Sequence, residues 1–299
     1  MLQLRLMLLT ALLWVLASPA MAAHSQPWQH SEKGHYSFGG WAGGELDIQF
    51  SVPADSNADT PILMVIPGAR RNADQYRDHW HELAMQHGFI VLAIGCDRQV
   101  CPTEYDYNLG GLLDARGNSR PSDQQFFLAP EQVFSDFVQA FGSNQKQFAL
   151  YGHSAGGGFV HLYMLARPSA PVSQAVSANA AFFTLPEPDR PFPFGLKGTS
   201  LDATQVDSWL QRPLTIMLAD QDLGPRTKPL SNSEAANQQG LNVFARGLAF
   251  YAGVINRASA RQIQPVWKLE IVQGVGHNSA HIAPHAVKYL FPRLTGDKV

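Results

Sequence analysis

Cysteine and charge are both scarce in this chain. Of 299 residues only two are cysteine, and 15% are Asp, Glu, Lys or Arg. So few cysteines exclude a small fold scaffolded by disulfides. With no second Cys or His pair at ligand spacing beside them, they also exclude a zinc module. The low charge excludes a disordered chain that solvates itself. The formal net charge is −2, and no basic block is longer than a pair, so the footprint of a nucleic-acid binder is missing. No repeat and no break in composition marks a second domain.

The hydrophobic content is 45%, enough for a sizeable core. Met1 to Ala22 reads as a secretory leader: Arg5 gives a positive start, Leu6 to Ala17 is apolar, and Pro19-Ala20-Met21-Ala22 ends in a small-residue cleavage pattern. The apolar run is short for a membrane span. The expectation is a secreted or periplasmic protein with no lasting membrane association once the leader is cleaved. The mature chain, 23–299, then forms a single domain in an oxidising compartment. There Cys96 and Cys101 are expected to pair, closing a small loop worth about 2 kcal/mol in chain entropy.

Apolar runs alternate with helical patterns. Pro61–Ile66, Phe89–Ile94, Phe148–Tyr151 and Pro213–Ala219 read as buried strands, Gln174–Ala178 and Trp267–Val272 as further strands, and Tyr36–Phe38 and Leu46–Val52 as two strands of which the second alternates like a half-buried antiparallel one. Helices are expected at Ala73–His87, Glu131–Phe141, Gly157–Ala166, most of Glu234–Ala260, and His285–Phe291. In the fourth of these, Leu241, Phe244, Leu248, Tyr251 and Val254 recur at helical spacing and are expected to face the core. The pattern predicts an α/β fold with a mostly parallel central sheet and helices on both faces. A long irregular stretch runs from Gly95 to Pro130. A Pro- and Phe-rich loop or small cap is expected near 182–209.

The chemistry centres on Gly152-His153-Ser154-Ala155-Gly156. Strand, Gly-x-Ser-x-Gly, helix is the setting of a nucleophile elbow, where a tight turn exposes the serine. A serine hydroxyl needs a base, and the base needs an orienting carboxylate. In an α/β-hydrolase fold these follow in the order Ser, acid, His, each after a strand. Ser154, Asp222 and His277 occupy those places. Asp220 competes with Asp222 on the same loop, and His281 and His285 compete with His277 from the closing helix. His153 reads as a neighbour of the nucleophile only. Oxyanion donors are expected from the backbone N–H of Ala155 and of Ala69, with Arg70 as the alternative to Ala69. Arg70, Phe182 and Phe183 are candidate substrate contacts. This chemistry calls for no metal and no organic cofactor.

Gly152-His153-Ser154-Ala155-Gly156-Gly157, Pro67-Gly68-Ala69-Arg70-Arg71-Asn72-Ala73 with Tyr76-Arg77, Tyr107-Asn108-Leu109-Gly110 and Val275-Gly276-His277-Asn278-Ser279 together resemble secreted esterases of the polyhydroxybutyrate depolymerase and feruloyl esterase group. The resemblance spans roughly Pro61 to Phe291. It implies the α/β-hydrolase fold, a serine esterase mechanism and a small-molecule or oligomeric ester as substrate. Pro67 stands where that group usually carries His. No polymer-binding domain or Ser/Thr-rich linker is legible, which favours soluble over solid substrates. Three rivals remain open at this level: a serine peptidase on the same fold, a lipase with a mobile lid, and a catalytically silent binding protein.

Overall fold

The computed structural model describes residues 27–29, 31–224 and 230–296; the expected leader, Met1–Ala22, lies outside them. The chain begins with the strands β1 (Lys33–Phe38), β2 (Leu46–Ser51) and β3 (Ile62–Ile66), then α1 (Ala73–His87) and β4 (Ile90–Gly95). It continues through α2 (Ala129–Phe141), β5 (Phe148–His153), α3 (Ala155–Ala166) and β6 (Val172–Ala178). It ends with α4 (Ala203–Leu210), β7 (Leu214–Ala219), α5 (Glu234–Asn237), α6 (Val243–Ala260), β8 (Lys268–Val272), α7 (Ser279–Leu290) and the short α8 (Pro292–Thr295).

The strands form one eight-stranded sheet in the order β1-β2-β4-β3-β5-β6-β7-β8. Only β1–β2 and β2–β4 pair antiparallel; β4 through β8 are parallel. Strands β3, β4, β5 and β7 are buried at every position. That explains their unbroken apolar runs: a strand covered on both faces has no solvent side to mark with polar residues. Alternate side chains divide the core into two layers. Ile62, Met64 and Ile66 join Phe159 of α3, Val133 and Phe137 of α2, and Phe250 of α6 on one face. Leu63, Val65 and Tyr151 join Trp80 of α1 and Ile282 of α7 on the other.

Two expectations need correction, the inward face of Leu241 and the start of the closing helix. The segment 234–260 is largely helical, as two helices, α5 and α6. Asn242 accepts a hydrogen bond from the Ala245 amide at 2.8 Å and starts α6 afresh, as a strong N-cap residue does. Leu241 therefore falls outside the helix and is 81% exposed; Phe244, Leu248 and Tyr251 pack half-buried against the core as expected, and Val254 is fully buried together with Val243, Arg246, Phe250 and Ala258. The closing helix begins at Ser279, six positions before His285, because Asn278 caps it through the Ala280 and His281 amides. Within the Pro- and Phe-rich region, 203–210 is helical, set by a capping box between Asp202 and Gln205.

That region is tied down from beneath by His161 of α3. Its Nε2 accepts the Thr184 amide at 3.0 Å and its Nδ1 faces the Gly157 carbonyl at 3.3 Å, so the ring is held neutral. Burial pulls its pKa down to about 4. The folded state thus refuses a proton that the unfolded chain accepts below its ordinary value near 6.5. The stability this group contributes is complete above that value and is lost as pH falls toward 4, by about 3 kcal/mol at most. His161→Gln, which keeps an acceptor for Thr184, is expected to flatten the fall in melting temperature between pH 6.5 and 4. An unchanged slope would show that the destabilisation lies elsewhere.

Candidate active site

The loops that leave the carboxyl ends of the parallel strands are brought level by register. Ile66 pairs with Gly152, His153 with Ala178, Ala178 with Met217, and Ala219 with Val272. The segments starting at Pro67, Ser154, Asp220 and Gln273 therefore emerge along one edge of the sheet, where open α/β sheets bind ligands.

Ser154 sits on the turn from β5 into α3 with φ 59° and ψ −117°. Positive φ is unusual for a residue with a side chain and marks a constrained functional turn. The turn needs glycine on both sides. A Cβ at Gly152 would lie 2.1 Å from the Gly156 carbonyl oxygen, and one at Gly156 would lie 1.9 Å from that of Ile66. Serine is thus forced to the tip, partly exposed, at the amino end of α3, where the first amides have no intrahelical acceptor. Ala155 is the first residue of that helix.

His277 lies on the loop between β8 and α7. Its Nδ1 is 2.5 Å from Oδ2 of Asp222, on the loop after β7. Asp222 is 2% exposed. Asp220 serves the same loop in another way, since its Oδ1 accepts the Gly274 amide at 2.8 Å and tethers the histidine turn. His281 and His285 point outward from α7 and are exposed.

The loop after β3 comes close to the elbow. A Cβ at Gly68 would stand 3.5 Å from Cβ of Ser154. The loop is braced by side chains that sequence reasoning did not single out. Tyr107 donates to the Pro67 carbonyl at 2.8 Å. Arg71, at φ 63°, lies over the Tyr107 ring at 4.6 Å and donates to the carbonyls of Asp97 and Thr103 at 3.2 and 3.0 Å. Burial, and next the charge of Arg98, pulls the Arg71 guanidinium below its ordinary value. Burial pushes the Tyr107 phenol well up, so it stays a donor. Arg98 donates to the Ala69 carbonyl at 3.2 Å, and Arg70 is exposed beside it. Asp97 lies within the loop that Cys96–Cys101 closes and Thr103 two residues beyond it; that disulfide is formed and buried. The only sequence signal for these braces was their proximity to the motifs themselves.

Of the apolar candidates, Phe182 is partly exposed, with its ring 5.3 Å from that of Phe194. Phe183 is not available to a substrate. It is fully buried, stacked on Phe250 at 4.2 Å and packed on His161 at 5.1 Å. Of the pair, only Phe182 meets solvent. Among the described residues no group of three or more His, Cys, Asp or Glu side chains is placed to hold a metal ion, and no helix is long and apolar enough to cross a membrane.

No protein-family model matches the chain. A poly(aspartic acid) hydrolase from Sphingomonas sp. KT-1 is 37% identical, with a TM-score of 0.84, over 87% of this chain and 98% of that one. A poly(3-hydroxybutyrate) depolymerase from Bordetella parapertussis is 30% identical, with a TM-score of 0.83, over 88% and 91%. Esterase-5C of Drosophila pseudoobscura pseudoobscura is 28% identical over 127 residues, which span 40% of this chain but only 21% of that protein. Full-length likeness to the first two, on an eight-stranded, mostly parallel sheet with helices on both faces, leads to one conclusion. The chain belongs to the serine esterases of the α/β-hydrolase superfamily and resembles their polyhydroxybutyrate depolymerase group.

Proposed function

We propose that this protein is a secreted serine hydrolase that cleaves carboxylic esters through an acyl-enzyme on Ser154. The observation that supports the reading most is the 2.5 Å contact between His277 and the buried Asp222, together with the positive-φ elbow that carries Ser154. His277 takes the Ser154 proton as Oγ bonds to the ester carbonyl carbon. The carbonyl oxygen becomes an anion, met by the N–H groups of Ala155 and Ala69. Collapse breaks the bond to the alcohol oxygen, which receives the proton from His277. Water then repeats the sequence and frees the acid. Asp222 holds His277 in the tautomer that leaves Nε2 open to accept a proton. Support for secretion comes from the leader-like Met1–Ala22 and from the Cys96–Cys101 disulfide.

A second reading concerns amide bonds in an anionic polymer, the kind of substrate that the Sphingomonas relative hydrolyses. Arg70 on the oxyanion loop and Arg98, which reaches over from the loop after β4 to the Ala69 carbonyl, favour it, because both cations are exposed beside that loop. The two readings separate on a panel of p-nitrophenyl acyl esters, 3-hydroxybutyrate oligomers and poly(aspartate). Ester turnover with no release from poly(aspartate) is expected from the first reading. Poly(aspartate) cleavage without ester turnover would replace it with the second.

A further inference from the structure

The last residue of β5, His153, has a side chain that the acylation scheme leaves unused, yet it is closely housed. It is 2% exposed and lies between the base and α1. Its ring centroid stands 4.6 Å from that of His277, with the planes inclined at 37°. Its Nδ1 is 3.0 Å from the hydroxyl of Tyr76, itself 7% exposed. We propose that His153 is a positioning residue for the catalytic base: its ring sets the orientation of the His277 imidazole, and Tyr76 holds that ring in place. This inference rests on the assignment of His277 as general base.

The physical need is clear. The contact with Asp222 fixes one nitrogen of His277, but an imidazole pinned at one atom can still swing about that bond. The swing carries Nε2 toward or away from Ser154. A second surface against the face of the ring removes that freedom. Displacements on the order of 1 Å in catalytic groups cost about 10²-fold in rate.

The hydrogen-bond roles also suit this position. Burial pushes the Tyr76 phenol up to about 12, against smaller opposing effects of the Gly68 amide, the Ser279 hydroxyl and the Arg70 charge. Tyr76 therefore keeps its proton and can donate it to Nδ1 of His153, the arrangement in which that ring accepts at Nδ1 and carries its own hydrogen on Nε2. A neutral ring can lie against His277 when the latter becomes an imidazolium during acylation; a second cation there would oppose proton transfer. Tyr76 also touches the oxyanion loop, since a Cβ at Gly68 would lie 2.7 Å from its hydroxyl oxygen. One phenol, in the first turn of α1, thus references both the base and the anion-binding loop to the same point. The pair is 77 residues apart in sequence, so no motif announces it.

The test compares His153→Gln, which keeps an acceptor for Tyr76 but removes the ring, with His153→Phe, which keeps a flat ring but loses the hydrogen bond. Both are assayed with a p-nitrophenyl ester, alongside wild type and Ser154→Ala. The glutamine variant is expected to lose kcat by at least about tenfold with KM within about twofold, and phenylalanine to recover part of that loss, the remainder reporting the missing hold of Tyr76. Wild-type kcat in the glutamine variant, a change confined to KM, or equal loss in both variants would overturn the proposal. Should either variant fail to fold, Tyr76→Phe replaces it, with His153 left in place but released. It is expected to lower kcat with KM within about twofold, whereas unchanged kcat would overturn the proposal. Turnover that persists in Ser154→Ala would instead remove the underlying assignment, so the two failures are distinguishable.

Discussion

Replacing Ser154 with alanine is expected to lower kcat on a p-nitrophenyl acyl ester by at least about a thousandfold while the melting temperature stays within a few degrees of wild type. The size follows from the role. Without Oγ there is no acyl-enzyme, and what remains is binding plus the oxyanion amides acting on water. The small effect on stability follows from the site. Ser154 is only partly buried, and its backbone amide bonds to the Ala178 carbonyl at 2.9 Å whatever the side chain. Alanine does inherit a positive φ of 59°, a strain that serine already carries. Steady-state kinetics and thermal unfolding on the same preparation check both halves.

The second large effect separates two carboxylates that sequence alone leaves in competition. Asp222→Asn is expected to reduce kcat by about 10⁴-fold. An amide at this position would present N–H to Nδ1 of His277, force the proton to Nε2, and leave the base with nothing to accept through. Asp220→Asn is expected to cost less than about tenfold, because an asparagine oxygen can still accept the Gly274 amide. Kinetics of the two variants decide between them. A larger loss in Asp220→Asn would move the role of acid to Asp220.

Both expectations rest on features legible in the amino-acid sequence itself. Buried parallel strands announce themselves as unbroken apolar runs, so β3, β4, β5 and β7 are readable to within two residues at either end. The candidate nucleophile, acid and base lie on loops directly after such strands, so their order along the chain carries the geometry with it. The supporting shell has no such signature. Tyr76 and His153 meet across 77 residues, and Tyr107 reaches Pro67 across 40. Contacts like these come from where α1 and the 95–130 stretch pack, not from any local period. For the same reason His153 reads as a bystander in the sequence although its ring lies against that of His277.

Errors of periodicity are local and have local causes. Leu241 fits a helical stripe by spacing, yet Asn242 competes for the backbone and caps a helix that begins only after it. Phe183 looks like a partner of Phe182 in an apolar wall, but its ring is buried against Phe250 and His161. The set of candidate substrate contacts is therefore narrower than the composition suggests, since Phe182 is partly exposed and Arg70 exposed while Phe183 is buried.

The central claim is that Ser154 is an activated nucleophile, and it can be tested without knowing the natural substrate. The purified protein is treated with a fluorophosphonate and the site of modification mapped by mass spectrometry. The account predicts one adduct per chain, located on Ser154, and none in the Ser154→Ala or Asp222→Asn variants on the same timescale. An unlabelled wild-type protein, or an adduct on any other residue, would contradict it.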